Sequence, residues 1–391
     1  MRSVRKWGLR LFALIAAGFA AFLVFAPAYV EKGRNAVRAH DPYPVSDAAA
    51  ALHETLMIGD WHADPLLWKR DLTQRGTRGQ VDIPRLLEGN VALQVFTAVT
   101  KSPAGQNYDH NSDDAADNIT LLAMGQLWPP RTWNSLLERA LYQAEKLHGF
   151  AQNSDGRLRV ITSRSELDAL LADRAAGQEI VGGILGIEGA HPLEGDIGNL
   201  DLIEDAGYRL IALQHFFDNE LGGSLHGSGD EGLTDFGREV VNQIVARNMI
   251  LDIAHSSPQV ARDVLAMTDI PLVVSHTGLR SQCNVKRNYP DDLMREIAAS
   301  GGVIGIGYWA DVTCDDSPAG IARVIVAAIA VVGEDHVSLG SDFDGSVTTA
   351  MDTSELAALT HELMQQGLSE AQIRKVMGEN MLRVLRQRLA D

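Results

Sequence analysis

Eight short apolar runs, each separated from the next by a helical pattern, constrain the fold of this chain more than any other feature. Most of them are continuously apolar, which is typical of strands buried on both faces of a parallel sheet. Eight such strands with intervening helices predict one α/β domain, a (β/α)8 TIM-type barrel with extra helices. The candidate strands are 56–60, 91–97, 183–187, 210–214, 249–253, 272–275, 303–307 and 337–340.

Helix signals lie between these runs. Ser163 and Glu166 have the spacing of a capping box, which predicts a helix start. The segment 101–160 is too long for a simple crossover, and Pro129-Pro130 should divide it into two helices that cover part of the barrel mouth. Further helices are expected at 236–248, 291–300, 354–366 and 369–389.

The first thirty residues differ from the rest. Arg2, Arg5, Lys6 and Arg10 precede an uncharged apolar run over 11–30, which is long enough to cross a bilayer. We therefore expect a signal-anchor or transmembrane segment at 1–30, a linker at 31–47 and the barrel at 48–391. The alternative is a cleaved signal peptide, because Ala26-Pro27-Ala28 resembles a cleavage site. The catalytic part is exported in both cases, membrane-anchored in the first and secreted in the second.

Ionisable residues stand at the ends of most predicted strands. Catalytic groups of such barrels lie at the carboxyl ends of the strands, so these residues should meet at one mouth. Each one alone could be a turn former or a histidine at the edge of the core, and His191 and His226 are interpreted as such loop residues. Their coincidence at successive strand ends indicates a site. The strand-end residues are His62, Asp64, Glu188, His215, His255, His276 and Asp342.

Five of these residues supply nitrogen or oxygen ligands of the kind that zinc prefers. They are His62, Asp64, Glu188, His255 and His276. One catalytic zinc usually takes three protein ligands, so five ligands suit two ions that share a carboxylate. Such a pair activates water for attack on a carbonyl or phosphoryl centre.

Net charge and cysteine content bear on the partners of the protein and on the compartment in which it works. The formal net charge of −17 argues against a nucleic-acid partner, which would select a basic face. Cys283 and Cys314 lie in the part expected to be exported, where a disulfide is permitted, although the sequence does not show that they are close.

From about residue 57 to its end the chain resembles the membrane (renal-type) dipeptidases, zinc peptidases of the amidohydrolase-like barrel superfamily. The motifs that carry the resemblance, in order, are D-W-H-A-D, G-I-E-G-A-H, L-T-D-F-G-R-E-V-V, L-D-I-A-H-S, V-S-H-T-G, K-R-N-Y-P-D-D and S-D-F-D-G. The resemblance implies hydrolysis of dipeptides by a hydroxide that bridges two Zn²⁺ ions. It also implies a homodimer, since relatives are often dimers.

The resemblance assigns a role to each matched position. His62 and Asp64 would bind the first zinc and His255 and His276 the second, with Glu188 bridging the two. His215 would contact the scissile carbonyl, and Arg287 would receive the C-terminal carboxylate of the substrate. Asp342 would handle the proton. Cys283 and Cys314 match a pair that is disulfide-linked in mammalian relatives.

Some positions depart from the family pattern, and other functions stay open. Ala63 replaces the usual asparagine, and Ala190-His191 stands where the family has Gly-His. Arg280 follows the sixth-strand histidine. These changes could alter how substrate side chains fit. Without the resemblance, Arg287 would be read as a surface residue paired with Asp291 or Asp292. The alternatives are an N-acyl-amino-acid deacylase, a β-lactam hydrolase, a lactonase, or an inactive membrane-anchored binding protein.

Overall fold

The computed structural model describes residues 2–391, without the side chains of residues 2–6, 8, 9, 15, 16, 19, 20, 22 and 24 in the first helix. Across this described part, nine strands are present. They are β1 (Ile58–Ala63), β2 (Val91–Val99), β3 (Leu158–Val160), β4 (Val181–Glu188), β5 (Tyr208–Ala212), β6 (Ile250–Asp252), β7 (Val273–Thr277), β8 (Val303–Ile306) and β9 (Val337–Leu339).

Eight of the strands close into a parallel barrel, which confirms the predicted (β/α)8 fold. The order around the ring is β1, β2, β4, β5, β6, β7, β8 and β9, and β9 pairs with β1 through Asp60 and Leu339. Each of these eight corresponds to one predicted run. The short β3 was not predicted, and it pairs in parallel with the first half of β4.

The strands are buried along almost their whole length, as the continuous apolar runs predicted. Every residue of β1, β2 and β4 is buried. Their side chains fill the barrel interior on one face and pack against the surrounding helices on the other. The polar strand-end residues are buried as well, and they all lie at one end of the ring.

Helices surround the barrel in the described residues. They are α1 (Arg2–Arg34), α2 (Asp47–Glu54), α3 (Ile83–Glu88), α4 (Asn118–Gly125), α5 (Leu136–Gln152), α6 (Arg164–Ala175), α7 (Asn199–Asp205), α8 (Asp235–Ala246), α9 (Pro258–Met267), α10 (Asp291–Ala299), α11 (Ala310–Thr313), α12 (Pro318–Val332), α13 (Leu356–Gln365), α14 (Glu370–Arg374) and α15 (Asn380–Arg388).

Local signals explain several helix boundaries. Ser163 and Glu166 form the expected capping box at the start of α6. The segment between β2 and β3 holds two helices, α4 and α5, on either side of Pro129-Pro130, as predicted. The closing helix predicted at 369–389 is instead divided into α14, a π-helical turn and α15. The break falls at Gly378, where a Cβ atom would meet the carbonyl oxygen of Met57 at 1.7 Å. Close approach of the β1 backbone therefore interrupts this helix.

The N-terminal expectation needs correction. Within the residues that the structure describes, no helix is long and apolar enough to cross a membrane, so the transmembrane segment expected at 1–30 is unsupported. Parts of that segment lie outside the described residues. The end of α1 docks on the barrel: Glu31 is buried and forms ion pairs with Arg70 and Arg78. Arg70 in turn pairs with Asp344, beyond the end of β9.

Residues after α1 also contact the barrel along much of the segment expected to be a linker. The Asn35 side chain accepts a hydrogen bond from the backbone N–H of Ser346 at 2.9 Å. The Tyr43 hydroxyl donates to the carbonyl of Ala350 at 2.7 Å. These contacts tie residues 31–47 to the loop that follows β9.

Candidate metal centre

The strand ends deliver their ionisable side chains to one buried point. His62 lies within β1, Asp64 follows it directly, and Glu188 is the last residue of β4. His276 lies within β7. His62 and Asp64 are two residues apart at a strand end, so both reach the same face, as their spacing predicted. Each of these four side chains is almost inaccessible to solvent.

The remaining site residues sit on the loops after their strands, some with an unusual backbone. His255 follows β6 with φ of 63°, and Asp342 follows β9 with φ of 58°. Non-glycine residues in this left-handed region cost on the order of 1 kcal/mol each, and such residues cluster at functional sites. The backbone hydrogen bond from Asp342 N to His62 O, 3.1 Å long, helps hold the β9 loop against β1. The fold therefore maintains strained positions that turn these side chains inward.

Glu188 is the centre of the cluster. Its Oε1 atom is 3.4 Å from His62 Nε2, 3.1 Å from His255 Nε2 and 3.3 Å from His276 Nε2. Its Oε2 atom is 3.3 Å from His215 Nε2. One carboxylate thus contacts four imidazoles, which is the position a bridging ligand needs.

The other carboxylates complete the arrangement around His62. Its Nε2 atom is 3.4 Å from Asp64 Oδ2 and 3.8 Å from Asp342 Oδ1. Three groups of ligand atoms, each within 4.8 Å of one another, result. They are His62, Asp64 and Glu188; Glu188, His215 and His255; and His62, His276 and Asp342.

This donor set fits a divalent metal and has little other physical justification. His255 Nε2 and His276 Nε2 face each other at 2.9 Å, although both atoms also approach Glu188. His62 Nε2 and Asp64 Oδ2 are buried without a hydrogen-bond partner among the described residues. Buried polar atoms are normally paired, and a cation between them would satisfy both. The convergence of lone pairs therefore favours a metal site.

The pKa values follow from burial and crowding. Burial raises the pKa of Glu188 well above its usual value, and the charge of Asp64 adds to this effect. Burial also raises the pKa of Asp342, to about 8. Burial lowers the pKa values of His255 and His276 well below the usual value, so these imidazoles are neutral. Neutral imidazoles present the lone pairs that metal ligation requires.

His62 differs from the other histidines. Burial lowers its pKa, but the charges of Asp64 and Glu188 outweigh burial and raise the pKa to about 10. The proton on His62 compensates the surrounding carboxylates. A metal ion would supply that positive charge instead, and binding would release this proton.

Groups behind the ligands fix their orientation. The Ser275 hydroxyl lies 2.9 Å from His276 Nδ1 and 3.2 Å from His62 Nδ1, which leaves both Nε2 atoms directed toward the centre. The Thr97 hydroxyl donates to Asp64 Oδ1 at 2.5 Å. Such outer contacts orient ligands in metal sites. Thr97 reaches the site from β2, and no motif in the sequence indicated its role.

Arg287 lies inside the cavity and is 2% exposed. Its Nη2 atom donates to the carbonyl of His276 at 2.8 Å, and its Nε atom has no partner among the described residues. The surface alternative does not hold, because Asp292 pairs with Arg262 at the protein surface. The guanidinium therefore keeps N–H donors that are not used within the described residues and that can bind an anionic group.

His215 stands between the centre and the barrel mouth. Burial lowers its pKa to about 4, so the ring is neutral. Its Nδ1 atom is 3.3 Å from the carbonyl oxygen of Lys101, which can only accept a hydrogen bond. Its Nε2 atom points toward the centre of the site, 3.3 Å from Glu188 Oε2.

A cavity opens above these groups at the mouth of the barrel. Its lining comes from the β-strand ends, from the segment 99–119 and from the loop after β9. The lining residues are Asp64, Leu67, Val99, Ser102, Gln106, Tyr108, Ile119, Glu188, His215, Phe216, His255, His276, Arg287, Trp309, Asp342, Gly345, Ser346 and Val347.

Several residues in or next to the cavity were not predicted from the sequence as site residues. Tyr108 and Trp309 line the cavity, and their aromatic character alone was no signal of a site. His226, interpreted as a loop residue, is buried with its ring 5.3 Å from that of His255. His191, interpreted in the same way, stacks on Phe217 outside this lining.

The two cysteines lie next to the same region. Cys283 and Cys314 form a disulfide with 5.5 Å between their Cα atoms. This bond ties the loop before Arg287 to the end of α11, which follows Trp309. It links the two chain segments that supply these cavity residues.

Known proteins share this architecture. Residues 46–390 match the family described as Membrane dipeptidase (Peptidase family M19). The chain is similar to "Dipeptidase ataJ" of Aspergillus terreus, strain NIH 2624 / FGSC A1156. The two are 26% identical over 354 residues, which make up 82% of this chain and 80% of that protein.

Solved structures are similar over nearly their whole length. A metallo peptidase from Rhodobacter sphaeroides, liganded with a phosphinate mimic of the dipeptide L-Ala-D-Ala, is 25% identical with a TM-score of 0.68. The match covers 86% of this chain and 99% of that one. The probable dipeptidase PvdM from Pseudomonas aeruginosa has the same fold, with a TM-score of 0.72, 20% identity and coverage of 87% and 98%.

Proposed function

Since this chain belongs to the membrane dipeptidase family (peptidase family M19), we propose that its barrel mouth hydrolyses dipeptides at a centre for two zinc ions bridged by Glu188. The chain is a metallo-dipeptidase. The single observation that supports the binuclear centre best is the contact of one buried carboxylate, Glu188, with four histidine nitrogens.

The proposed ligands divide into two sets around that carboxylate. His62 and Asp64 would hold one ion, and His255 and His276 the other. When bound, the ions would polarise the scissile carbonyl and lower the pKa of a water molecule toward neutrality. Imidazoles with carboxylates suit zinc among the common divalent ions.

Asp342 is proposed to move the proton. Its carboxylate lies beside His62 at the floor of the cavity, and burial raises its pKa to about 8. A carboxyl group with a pKa near the working pH can accept a proton from water and return it to the leaving amine.

His215 and Arg287 are proposed to hold the substrate. His215 Nε2 would donate a hydrogen bond to the carbonyl oxygen as negative charge develops there. The guanidinium of Arg287 would donate paired hydrogen bonds to the terminal carboxylate. Because Arg287 is buried in the same cavity as Glu188, this contact would also limit the substrate to short peptides.

The substrate test is a panel of L-L and L-D dipeptides, each also N-acetylated and C-amidated, with metal content measured on the same sample. About two zinc ions per chain and cleavage of the unblocked dipeptides are expected. Cleavage of the acetylated compounds would favour the N-acyl-amino-acid deacylase instead. With a β-lactam and a lactone added to the panel, cleavage of those compounds alone would favour the corresponding hydrolases. No metal and no turnover would leave an inactive binding protein.

Export of the catalytic part is also proposed, and the Cys283–Cys314 disulfide supports it because such bonds persist in oxidising compartments. Alkylation of free thiols on protein taken from intact cells tests this, and two free thiols would contradict it. The homodimer is proposed from the resemblance alone, and the mass of the particle in solution tests it.

A further inference from the structure

Tyr108 stands in the cavity wall without any sequence motif around it. It belongs to the segment between β2 and α4 that covers part of the mouth. Its ring lies 5.7 Å from the ring of Phe216 and 5.6 Å from that of His226. His226 Nδ1 lies 2.9 Å from the Tyr108 carbonyl oxygen, a distance that fits an N–H donor. Contacts with Phe216 and His226 therefore hold the Tyr108 ring in the cavity wall.

Neighbouring residues fix the backbone around Tyr108. The Asn111 N–H donates to the carbonyl of His226 at 2.8 Å. Lys286, next to Arg287 in the chain, donates from Nζ to the carbonyl of Asp109 at 2.5 Å. The covering segment is therefore fastened to both sides of the cavity, and the position of Tyr108 needs little ordering when a ligand binds.

The hydroxyl of Tyr108 keeps its own proton available. Trp309 Nε1 donates to the Tyr108 oxygen at 3.0 Å, so that oxygen is already used as an acceptor. The phenolic proton needs a different partner, and no hydrogen bond among the described residues provides one. Burial, with the charge of Asp342 next, raises the pKa of Tyr108, so the hydroxyl remains a donor at neutral pH.

Arg287 lies over the ring of Trp309, the same indole whose nitrogen contacts the Tyr108 hydroxyl. Its guanidinium carbon lies 5.8 Å from the centre of the Trp309 ring, and its Nε atom is buried without a partner in the described structure. Two unused donors therefore flank one indole ring at one wall of the cavity. A carboxylate has about four acceptor sites, and a single guanidinium occupies only two of them.

We propose that Tyr108 donates its hydroxyl proton to the C-terminal carboxylate of the dipeptide, beside Arg287, and is a specificity-determining residue of this enzyme. The inference rests on the proposed function, because it requires a substrate with that carboxylate in this cavity. It assigns the covering segment a role in recognition as well as in excluding solvent.

The test compares Tyr108→Phe with the wild type on L-Ala-L-Ala and on its C-terminal amide. The substitution removes one oxygen and keeps the ring contacts with Phe216 and His226. A hydrogen bond to a charged group contributes enough to raise KM for the free dipeptide about tenfold to a hundredfold. The kcat value should change less than threefold, and kcat/KM for the amide should not change.

Tyr142→Phe is the matched control, since Tyr142 packs against Trp128 outside the cavity lining. Equal metal content and equal circular dichroism spectra of all proteins exclude misfolding as the cause. An unchanged KM for L-Ala-L-Ala in an active Tyr108→Phe enzyme would overturn the role of Tyr108 alone. An equal loss of kcat/KM on the C-terminal amide would also overturn that role. No dipeptide hydrolysis by the wild type would remove the proposed function and this inference together.

Discussion

At the scale of single residues, the centre depends on charges that burial makes costly. Glu188, Asp64 and Asp342 lie in one water-poor cluster, where burial raises the pKa values of Glu188 and Asp342 and the neighbouring carboxylates raise that of His62. Such a cluster destabilises the fold unless a cation joins it, because an unpaired buried charge loses its hydration. The presence of three carboxylates at the barrel mouth is therefore explained by function and not by stability.

Asp342→Asn separates a proton carrier from a metal ligand. The amide keeps the size of the side chain but cannot accept and return a proton, so kcat should fall by about 10²- to 10⁴-fold. Metal content should stay close to that of the wild type, because Asp342 is not among the five proposed ligands. Metal analysis and steady-state kinetics on one preparation measure both. Loss of metal in the variant would make Asp342 a ligand.

Arg287→Lys tests the carboxylate contact. Lysine keeps the charge but lacks the planar pair of donors, so KM for free dipeptides should rise about tenfold or more. C-amidated dipeptides should show no comparable loss. Arg262→Lys is the control, because Arg262 pairs with Asp292 at the surface. The same KM for Arg287→Lys and the wild type would argue against this role.

At the scale of elements, helices bury polar groups that make stability depend on pH. His53 of α2 is buried, and its Nδ1 atom lies 2.8 Å from the hydroxyl of Thr360 in α13. Burial lowers the pKa of His53 to about 4, below the usual 6.5. Between these pH values the unfolded chain binds a proton that the folded chain does not, so stability falls as pH decreases from 6.5 to 4.

His53→Gln should weaken that dependence. The lowered pKa of His53 corresponds to at most about 3 kcal/mol in the free energy of unfolding. The wild type should lose up to this amount of stability on acidification, relative to the variant. Urea unfolding at pH 7.5 and at pH 4.5 measures the difference between the two proteins. His361→Gln, on the surface side of α13, is the control. Parallel changes in wild type and His53→Gln would contradict the assignment.

The strand ends show how an element positions a site. β1 and β7 contain their histidines within the strand, whereas His255 and Asp342 need left-handed backbone on the loops after β6 and β9. The run of apolar residues predicted each strand, but the predicted ends of β1 and β7 fell three and two residues before the observed ones. Backbone pairing with a neighbouring strand continues each of these strands beyond its apolar run, to Ala63 in β1 and to Thr277 in β7.

At the scale of the whole molecule, the N-terminal segment is part of the barrel assembly. Glu31 pairs with Arg70 and Arg78, and Arg70 also pairs with Asp344, two residues after Asp342. Burial raises the pKa of Glu31, which marks the cost of placing this charge inside. Removing one member of such a buried network leaves the others without a partner.

Glu31→Gln should therefore lower the free energy of unfolding by about 2–4 kcal/mol. Two truncated chains extend the test, one beginning at residue 31 and one at residue 39. The first keeps Glu31 and Asn35, so it should be the more stable of the two. Denaturant unfolding of these three proteins and of the wild type provides the measurement. Equal stability of the two truncated chains would mean that the docking of α1 contributes nothing.

The sequence by itself determined the barrel and the identity of the residues that meet at its mouth. Each strand is a local apolar run, and parallel strands of a closed barrel bring all their carboxyl ends to one place. Residues from His62 to Asp342 could therefore be selected together, although hundreds of positions separate them in the chain.

Only the tertiary structure decided which other residues join them. Tyr108 meets Trp309 across 201 positions of sequence, and Glu31 meets Arg70 through a segment expected to be a linker. These contacts depend on how loops and helices pack around the barrel, and no local pattern encodes that packing. Periodic apolar burial fixes strands because it acts on neighbours in the chain, whereas the covering segment and the docked N-terminus are fixed by partners that exist only after folding.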